Sequence, residues 1–230
     1  VIERPEGLFR AGADMPLSRY FDHTLLKPDA GLESFDTLCR EARALSTASV
    51  CVPPNRVARC VELLSDTDVD VATVIGFPLG YAEADAKVRE TELARSHGAV
   101  EFDTVIPIGL IKDTDYAAVF EDLSAVVGAA KPYPVKVIVE TALLTEDETI
   151  AAGVISVRAG AAFLKTSTGF ASAGATAEGV ELLRAVAGEE VGVKAAGGIR
   201  TTAFALELIR RGADRLGASA TAAILEESEA

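Results

Sequence analysis

The chain has no tryptophan, one methionine, two histidines and an odd number of cysteines, three. Each shortage excludes something. His23 and His97 are the only imidazoles, and Cys39, Cys51 and Cys60 stand at no metal-ligand spacing from them, so no metal site is expected. Three scattered cysteines form no disulfide framework and read as reduced thiols in a cytoplasmic protein. No apolar run approaches the roughly 20 residues that a membrane-spanning helix requires, and the first residues, VIERPEGLFR, lack the charge-then-apolar order of a signal peptide. Positive charge is also scarce. With 22 Lys and Arg against 35 Asp and Glu, the net charge of −13 argues against nucleic acid or an anionic membrane as partner. Any phosphate must therefore be held by a local site.

What the sequence does contain is a regular beat. Short β-branched runs alternate with helical patterns: SRYFDHT, STASVCV, DVDVATVIGF, AVEFDTVIP, YPVKVIVET, AAFLKTS, EVGVKAAG and ADRLGAS mark eight strands. Between them Phe35, Leu38, Cys39, Ala42 and Leu45 fall on one helical face, as do Val119, Leu123, Val126, Val127 and Ala130. Alternation of this kind means parallel strands with helical crossovers, and eight repeats in 230 residues fit a single α/β domain, a closed (β/α)8 barrel of TIM type. A short N-terminal extension over about residues 1–17 and a frayed acidic tail over about 226–230 are expected to flank it. SHGAVEFD, RAGAAFLK and RRGADRLG share a helix end, a Gly-Ala and then a strand, with the glycine in the left-handed helix-stop position. Five residues beyond each glycine come Asp103, Lys165 and Gly217, which this spacing puts at the C-terminal rim, where barrel enzymes keep their chemistry.

Strand parity sharpens the expectation. In PVKVIVE, Val135, Val137 and Val139 face the helices and turn Lys136, Ile138 and Glu140 inward. By the same alternation Glu101, Asp103 and Lys194 face in, while Val100, Phe102 and Val193 face out. A buried mixture of three lysines and three carboxylates adds little stability, because well-packed apolar residues would do as well. It marks a site.

Lys165, in AAFLKTSTGF, is either a strand-end lysine that snorkels or a nucleophile. The polar cluster after it and the second inward lysine favour the nucleophile. An ordinary lysine, with a pKa of about 10.4, is almost wholly protonated at neutral pH, and lowering it to about 7 opposes the ammonium form by roughly 4.6 kcal/mol. Burial and a neighbouring cation can supply that, and Lys194, one βα unit later, is such a cation or else an ion-pair partner. Asp103 is a counter-ion or a proton shuttle. KAAGGIRT and RLGASAT place glycines and Ser219 ahead of the last two helices, where barrels bind phosphate. Asp22 either caps a helix or stands in the pocket. Cys51 reads as a core residue, His97 as a helix-end cation, and GFPLG as a loop shaped by Pro78.

FDHTLLKP, TVIGFPLG, EFDTVIP, VKVIVETALLT, FLKTSTGF, GATAEGVELLR, VGVKAAGGIRT and RLGAS, running from Asp22 to Ser219, together resemble the deoxyribose-phosphate aldolases, class I aldolases on a (β/α) barrel. The resemblance implies reversible cleavage of 2-deoxy-D-ribose 5-phosphate to D-glyceraldehyde 3-phosphate and acetaldehyde, without metal or cofactor, by a cytoplasmic homodimer. It makes Lys165 the Schiff-base former, Lys194 the residue that perturbs its pKa and Asp103 the proton shuttle. Gly169, Gly197, Gly198 and Ser219 would hold phosphate, and Asp22, Thr24 and Thr168 would contact the sugar. Ala220, Pro53 and Phe170 depart from residues frequent in the family and bear on phosphate affinity and turnover. The alternatives are a non-catalytic sugar-phosphate-binding barrel and a Schiff-base aldolase of different substrate range.

Overall fold

The computed structural model of the protein describes residues 15–229. Eight parallel strands close into a barrel in sequence order. They are β1 (Phe21–Thr24), β2 (Ser49–Val52), β3 (Asp70–Ile75), β4 (Glu101–Val105), β5 (Val135–Ile138), β6 (Phe163–Lys165), β7 (Gly192–Ala196) and β8 (Arg215–Ala218). Each lies inside a run that the alternation marks. The crossovers are α1 (Leu32–Leu45), α2 (Val57–Leu64), α3 (Ala84–Ser96), a short α4 (Ile108–Lys112) with α5 (Tyr116–Ala130), α6 (Glu146–Arg158), α7 (Ala177–Ala187) and α8 (Thr202–Arg210), and α9 (Thr221–Glu229) follows the last strand. Residues 1–14 of the expected N-terminal extension lie outside the described residues. The expectation of a frayed tail is corrected: residues 226–229 complete α9, where Glu227 accepts a hydrogen bond from the Thr202 amide.

Local chemistry sets the helix ends. Asp115, Thr145, Thr176 and Thr201 each accept a hydrogen bond from a first-turn amide, and Thr145 with Glu148 forms a reciprocal capping box. Gly98, Gly160 and Gly212 follow α3, α6 and α8 with φ of 98°, 95° and 108°, the region in which an L side chain is strained. His97 is the C-cap of α3.

The two faces of the sheet differ in kind. Phe102, Val135, Val137, Val139 and Val193 join the apolar layer between strands and helices, together with Phe35, Leu38, Ala42, Val119, Leu123 and Val126. Inside the barrel only Cys51, Ala72 and Val74 form a separate small apolar cluster. Phe163, on the inner face of β6, packs against Arg215, and most of the remaining large inward side chains are charged. The expectation that Asp103 shares the rim with Lys165 is corrected: β6 ends at Lys165, whereas β4 continues two residues beyond Asp103. Tilted strands of unequal length reach the rim at different steps, so equal spacing from a helix stop does not mean equal height.

Candidate active site

Four basic and three acidic side chains, all in strands, fill the barrel interior. Lys136, Lys165, Lys194 and Arg215 face Asp22, Glu101 and Asp103, and none of the seven exceeds 6% exposure. Lys165 and Lys194 are register partners on adjacent strands. Their ammonium groups donate to the same oxygen, Asp103 Oδ2, at 2.7 and 2.6 Å. Lys136 donates to Asp103 Oδ1 at 2.9 Å and Glu101 Oε2 at 2.6 Å, and lies 3.6 Å from Asp22. Arg215 bridges Asp22 and Glu101, and Asp22 Oδ2 accepts from Lys194.

The partners are distributed unequally. Among the described residues Lys136 pairs with three carboxylates, Lys194 and Arg215 with two each, and Lys165 with Asp103 alone. Burial disfavours every charge here, and the pairing decides which charges survive. For Lys165 burial is the largest influence; Asp103 opposes it, the Lys194 ammonium adds to it, and the pKa falls below the usual lysine value. For Lys194 burial is outweighed by Asp103 and Asp22, and the pKa rises. Lys136 is likewise raised, because Asp103, Glu101 and Asp22 overcome its burial. Asp103 and Asp22 would be raised by burial, but their cations hold both well below the carboxylate range. A layer with one more base than acid is neutral when Lys165 is the amine.

Cys51 lies in the same interior, and burial, reinforced by Asp103, pushes its thiol up to about 11. It is a protonated packing residue, as its sequence context implies. Gly217, in β8, makes room for the lysine next to it: a Cβ there would sit 3.1 Å from Lys194 Cε.

Asp22 stands in the charged layer, fully buried, with both oxygens in ion pairs rather than at an open wall. Thr24, two residues on, donates its hydroxyl proton to the Asp22 carbonyl at 2.9 Å. Thr168 is buried in the loop after β6 and is held by Glu140. Gly169, Gly197 and Gly198 all have positive φ, of 83°, 88° and 78°. The loops after β6 and β7 touch backbone to backbone: a Cβ on Gly197 would meet the Gly174 Cα at 3.0 Å and the Gly169 Cα at 3.3 Å. Ser219 is exposed directly ahead of α9. Phe170 is half-exposed and packs edge-on against Phe77 at 5.2 Å between centroids.

Sequence reasoning missed Arg215 and Gly174. Arg215 had a usable signal, since it stands two residues before Gly217 and shares its inward face. Gly174 had none, because only the approach of a distant loop makes that glycine necessary.

A groove beside the barrel mouth, lined by Thr141, Leu144, Glu146, Thr176, Glu178 and Glu181, touches none of the seven charged residues. Its carboxylates give it the wrong sign for a phosphate. No helix among the described residues is long and apolar enough to cross a membrane.

The model of the DeoC/LacD family aldolases matches residues 17–225. A deoxyribose-phosphate aldolase of Brevibacillus brevis is 48% identical over 211 residues, covering 92% of this chain and 96% of that one. One from Clostridium tetani is 49% identical over 216 residues, covering 94% and 100%. Among solved structures, the tetrameric deoxyribose phosphate aldolase of Aeropyrum pernix superposes with a TM-score of 0.89 at 34% identity, covering 97% of this chain and 95% of its own. With the match extending over the whole barrel and the charged strands within it, the chain belongs to the DeoC/LacD family of aldolases.

Proposed function

We propose that the protein catalyses the reversible aldol cleavage of 2-deoxy-D-ribose 5-phosphate to D-glyceraldehyde 3-phosphate and acetaldehyde, through an imine on Lys165. The observation that carries this reading is the sharing of Asp103 Oδ2 by two lysines of which only Lys165 has a depressed pKa. In this role the neutral Lys165 amine attacks C1 of the open-chain sugar, and loss of water leaves a protonated imine. The C2–C3 bonding pair then flows into that imine as the C3 hydroxyl gives up its proton, releasing glyceraldehyde 3-phosphate and an enamine. Protonation of the enamine at C2 and hydrolysis free acetaldehyde and restore the amine. Asp103, held between the side-chain nitrogens of Lys136, Lys165 and Lys194, is the group assigned to proton movement, and Lys194 keeps a positive charge beside the nucleophile.

The phosphate is assigned to the loops after β6, β7 and β8, through Gly169, Gly197, Gly198 and Ser219. Two of these loops are in close backbone contact, and the last two precede α8 and α9, whose N-terminal amides favour an anion. Thr24 and Thr168 are assigned to the sugar hydroxyls, and Asp22 to holding Lys194 charged. The proposal includes a cytoplasmic homodimer; light scattering of the purified protein tests the assembly.

Steady-state assay of deoxyribose 5-phosphate and of unphosphorylated deoxyribose, in the presence of a chelator, tests the reaction. Formation of glyceraldehyde 3-phosphate with a clear preference for the phosphorylated sugar is expected. Equal efficiency on both sugars would overturn the phosphate site, and absence of the triose phosphate would overturn the reaction.

A further inference from the structure

Glu140 has no part in the reaction as described, yet the chain places it at some conformational cost. It lies two residues beyond β5, is 2% exposed, and adopts φ 58°, ψ 61°. Left-handed backbone at a non-glycine residue is uncommon and gathers at functional sites. The other two such residues described, Ser46 and Thr114, sit at the end of α1 and in the turn between α4 and α5. Glu140 alone occupies the C-terminal mouth of the barrel. Its neighbours are fixed to the strand that carries Lys165: the Val139 amide donates to the Lys165 carbonyl at 2.9 Å, and the Thr141 amide to the Thr166 carbonyl at 3.0 Å.

From there a single carboxylate oxygen, Glu140 Oε2, accepts both the amide of Thr168, at 3.1 Å, and its hydroxyl proton. The Thr168 hydroxyl in turn accepts from the Phe170 amide at 3.0 Å. A hydroxyl has one proton and two acceptor positions. The proton is committed to Glu140 and one acceptor position to Phe170, which leaves one lone pair. Thr168 can then only accept, and the group that suits it is a hydroxyl of the substrate. The other carboxylate oxygen, Glu140 Oε1, is buried and has no hydrogen-bond partner among the described residues. Among the described residues no second donor draws the carboxylate away from Thr168.

We propose that Glu140 is a positioning residue which, by taking the hydroxyl proton of Thr168, makes Thr168 a fixed hydrogen-bond acceptor and so tunes the site for an acceptor aldehyde that carries a hydroxyl next to its carbonyl. The inference rests on the aldolase reading above and on the assignment of Thr168 to the sugar. It explains why a buried acid is held in a strained conformation beside a threonine: a rotating hydroxyl could donate as well as accept and would discriminate less.

The test compares two acceptors for acetaldehyde, D-glyceraldehyde 3-phosphate and 3-phosphonooxypropanal, which carries the same phosphate but lacks the hydroxyl. The readout is the ratio of their kcat/KM values, which a general loss of folded or active protein leaves unchanged. Thr168→Val, close in shape, and Glu140→Ala should each lower the ratio about tenfold, the value of one lost hydrogen bond. Glu140→Gln, whose amide oxygen can still take the proton, should keep it within about threefold. Glu140→Ala in the Thr168→Val background should lower it no further, because both changes remove the same contact. A wild-type ratio in Thr168→Val overturns the proposal, as does a fall of both acceptors in equal proportion in Glu140→Ala. Should Glu140→Ala fail to fold, Glu140→Met, which fills similar space but offers no oxygen to take the proton, replaces it with the same expected fall in the ratio. Inactivity of the unaltered protein toward both acceptors would instead count against the aldolase reading itself.

Discussion

The same strands carry two different proteins on their two faces. On the outer face of β4, β5 and β7, Phe102, Val135, Val137 and Val193 pack into the apolar layer under the helices. On the inner face, one residue away in each case, stand Asp103, Lys136 and Lys194 in a closed set of ion pairs. Burial of a valine stabilises by about 1.5–3 kcal/mol, whereas a buried ion pair at best balances its own desolvation. The outer face holds the barrel shut. The inner face contributes little to that and is distinguished by its electrostatics: Lys165, with one carboxylate partner, has a lowered pKa, whereas Lys136, Lys194 and Arg215, with two or three each, are raised.

Four substitutions separate the faces. The largest effect is expected from Lys165→Met, which should reduce kcat/KM for deoxyribose 5-phosphate by at least about 10⁴-fold, as loss of a covalent nucleophile does. Its denaturation midpoint should stay or rise, because three bases then face three acids. A marked loss of stability would mean that Lys165 is a structural cation.

Lys194→Met comes next. Lys165 reacts as the free amine, so activity should rise with pH through its depressed pKa and level off below the ordinary lysine value of about 10.4. Removing Lys194 takes away a repelling ammonium and leaves more of Asp103 to Lys165. Both changes raise the Lys165 pKa, so the acid limb of the pH–rate profile should move to higher pH, with a loss of about 10²–10⁴-fold at neutral pH. An unmoved limb would show that Lys194 acts otherwise.

Lys136→Met should be the opposite of Lys165→Met. It strips a common partner from Asp22, Glu101 and Asp103 and should cost about 3–5 kcal/mol of stability, whereas Val137→Ala on the opposite face should cost about 2 kcal/mol and leave kcat/KM near the wild-type value. Urea titrations of both variants measure this; equal stability of Lys136→Met and the parent would remove the distinction between a structural and a reactive lysine in one layer.

How much of this was legible follows from which interactions are local. All eight strands could be read because alternation, β-branched runs and helix-stopping glycines are properties of short segments. Parity also turned Glu101, Asp103, Lys136 and Lys194 inward, since the side-chain period of a strand is two. Height in the barrel could not be read from spacing, so Asp103 was expected at the rim and lies deeper. Partner choice was hidden too: that Asp22 belongs to Lys194 and Arg215 depends on β1 closing against β8, nearly two hundred residues away. The grip of Glu140 on Thr168 depends on a left-handed backbone at a glutamate, which no propensity anticipates.

The most direct test is borohydride reduction in the presence of acetaldehyde, followed by peptide mass spectrometry. A reduced two-carbon adduct on the peptide containing Lys165, absent from Lys165→Met and with Lys136 and Lys194 unmodified, is the predicted result. An adduct on Lys136 or Lys194, or none under conditions that trap a known Schiff-base aldolase, would contradict the account.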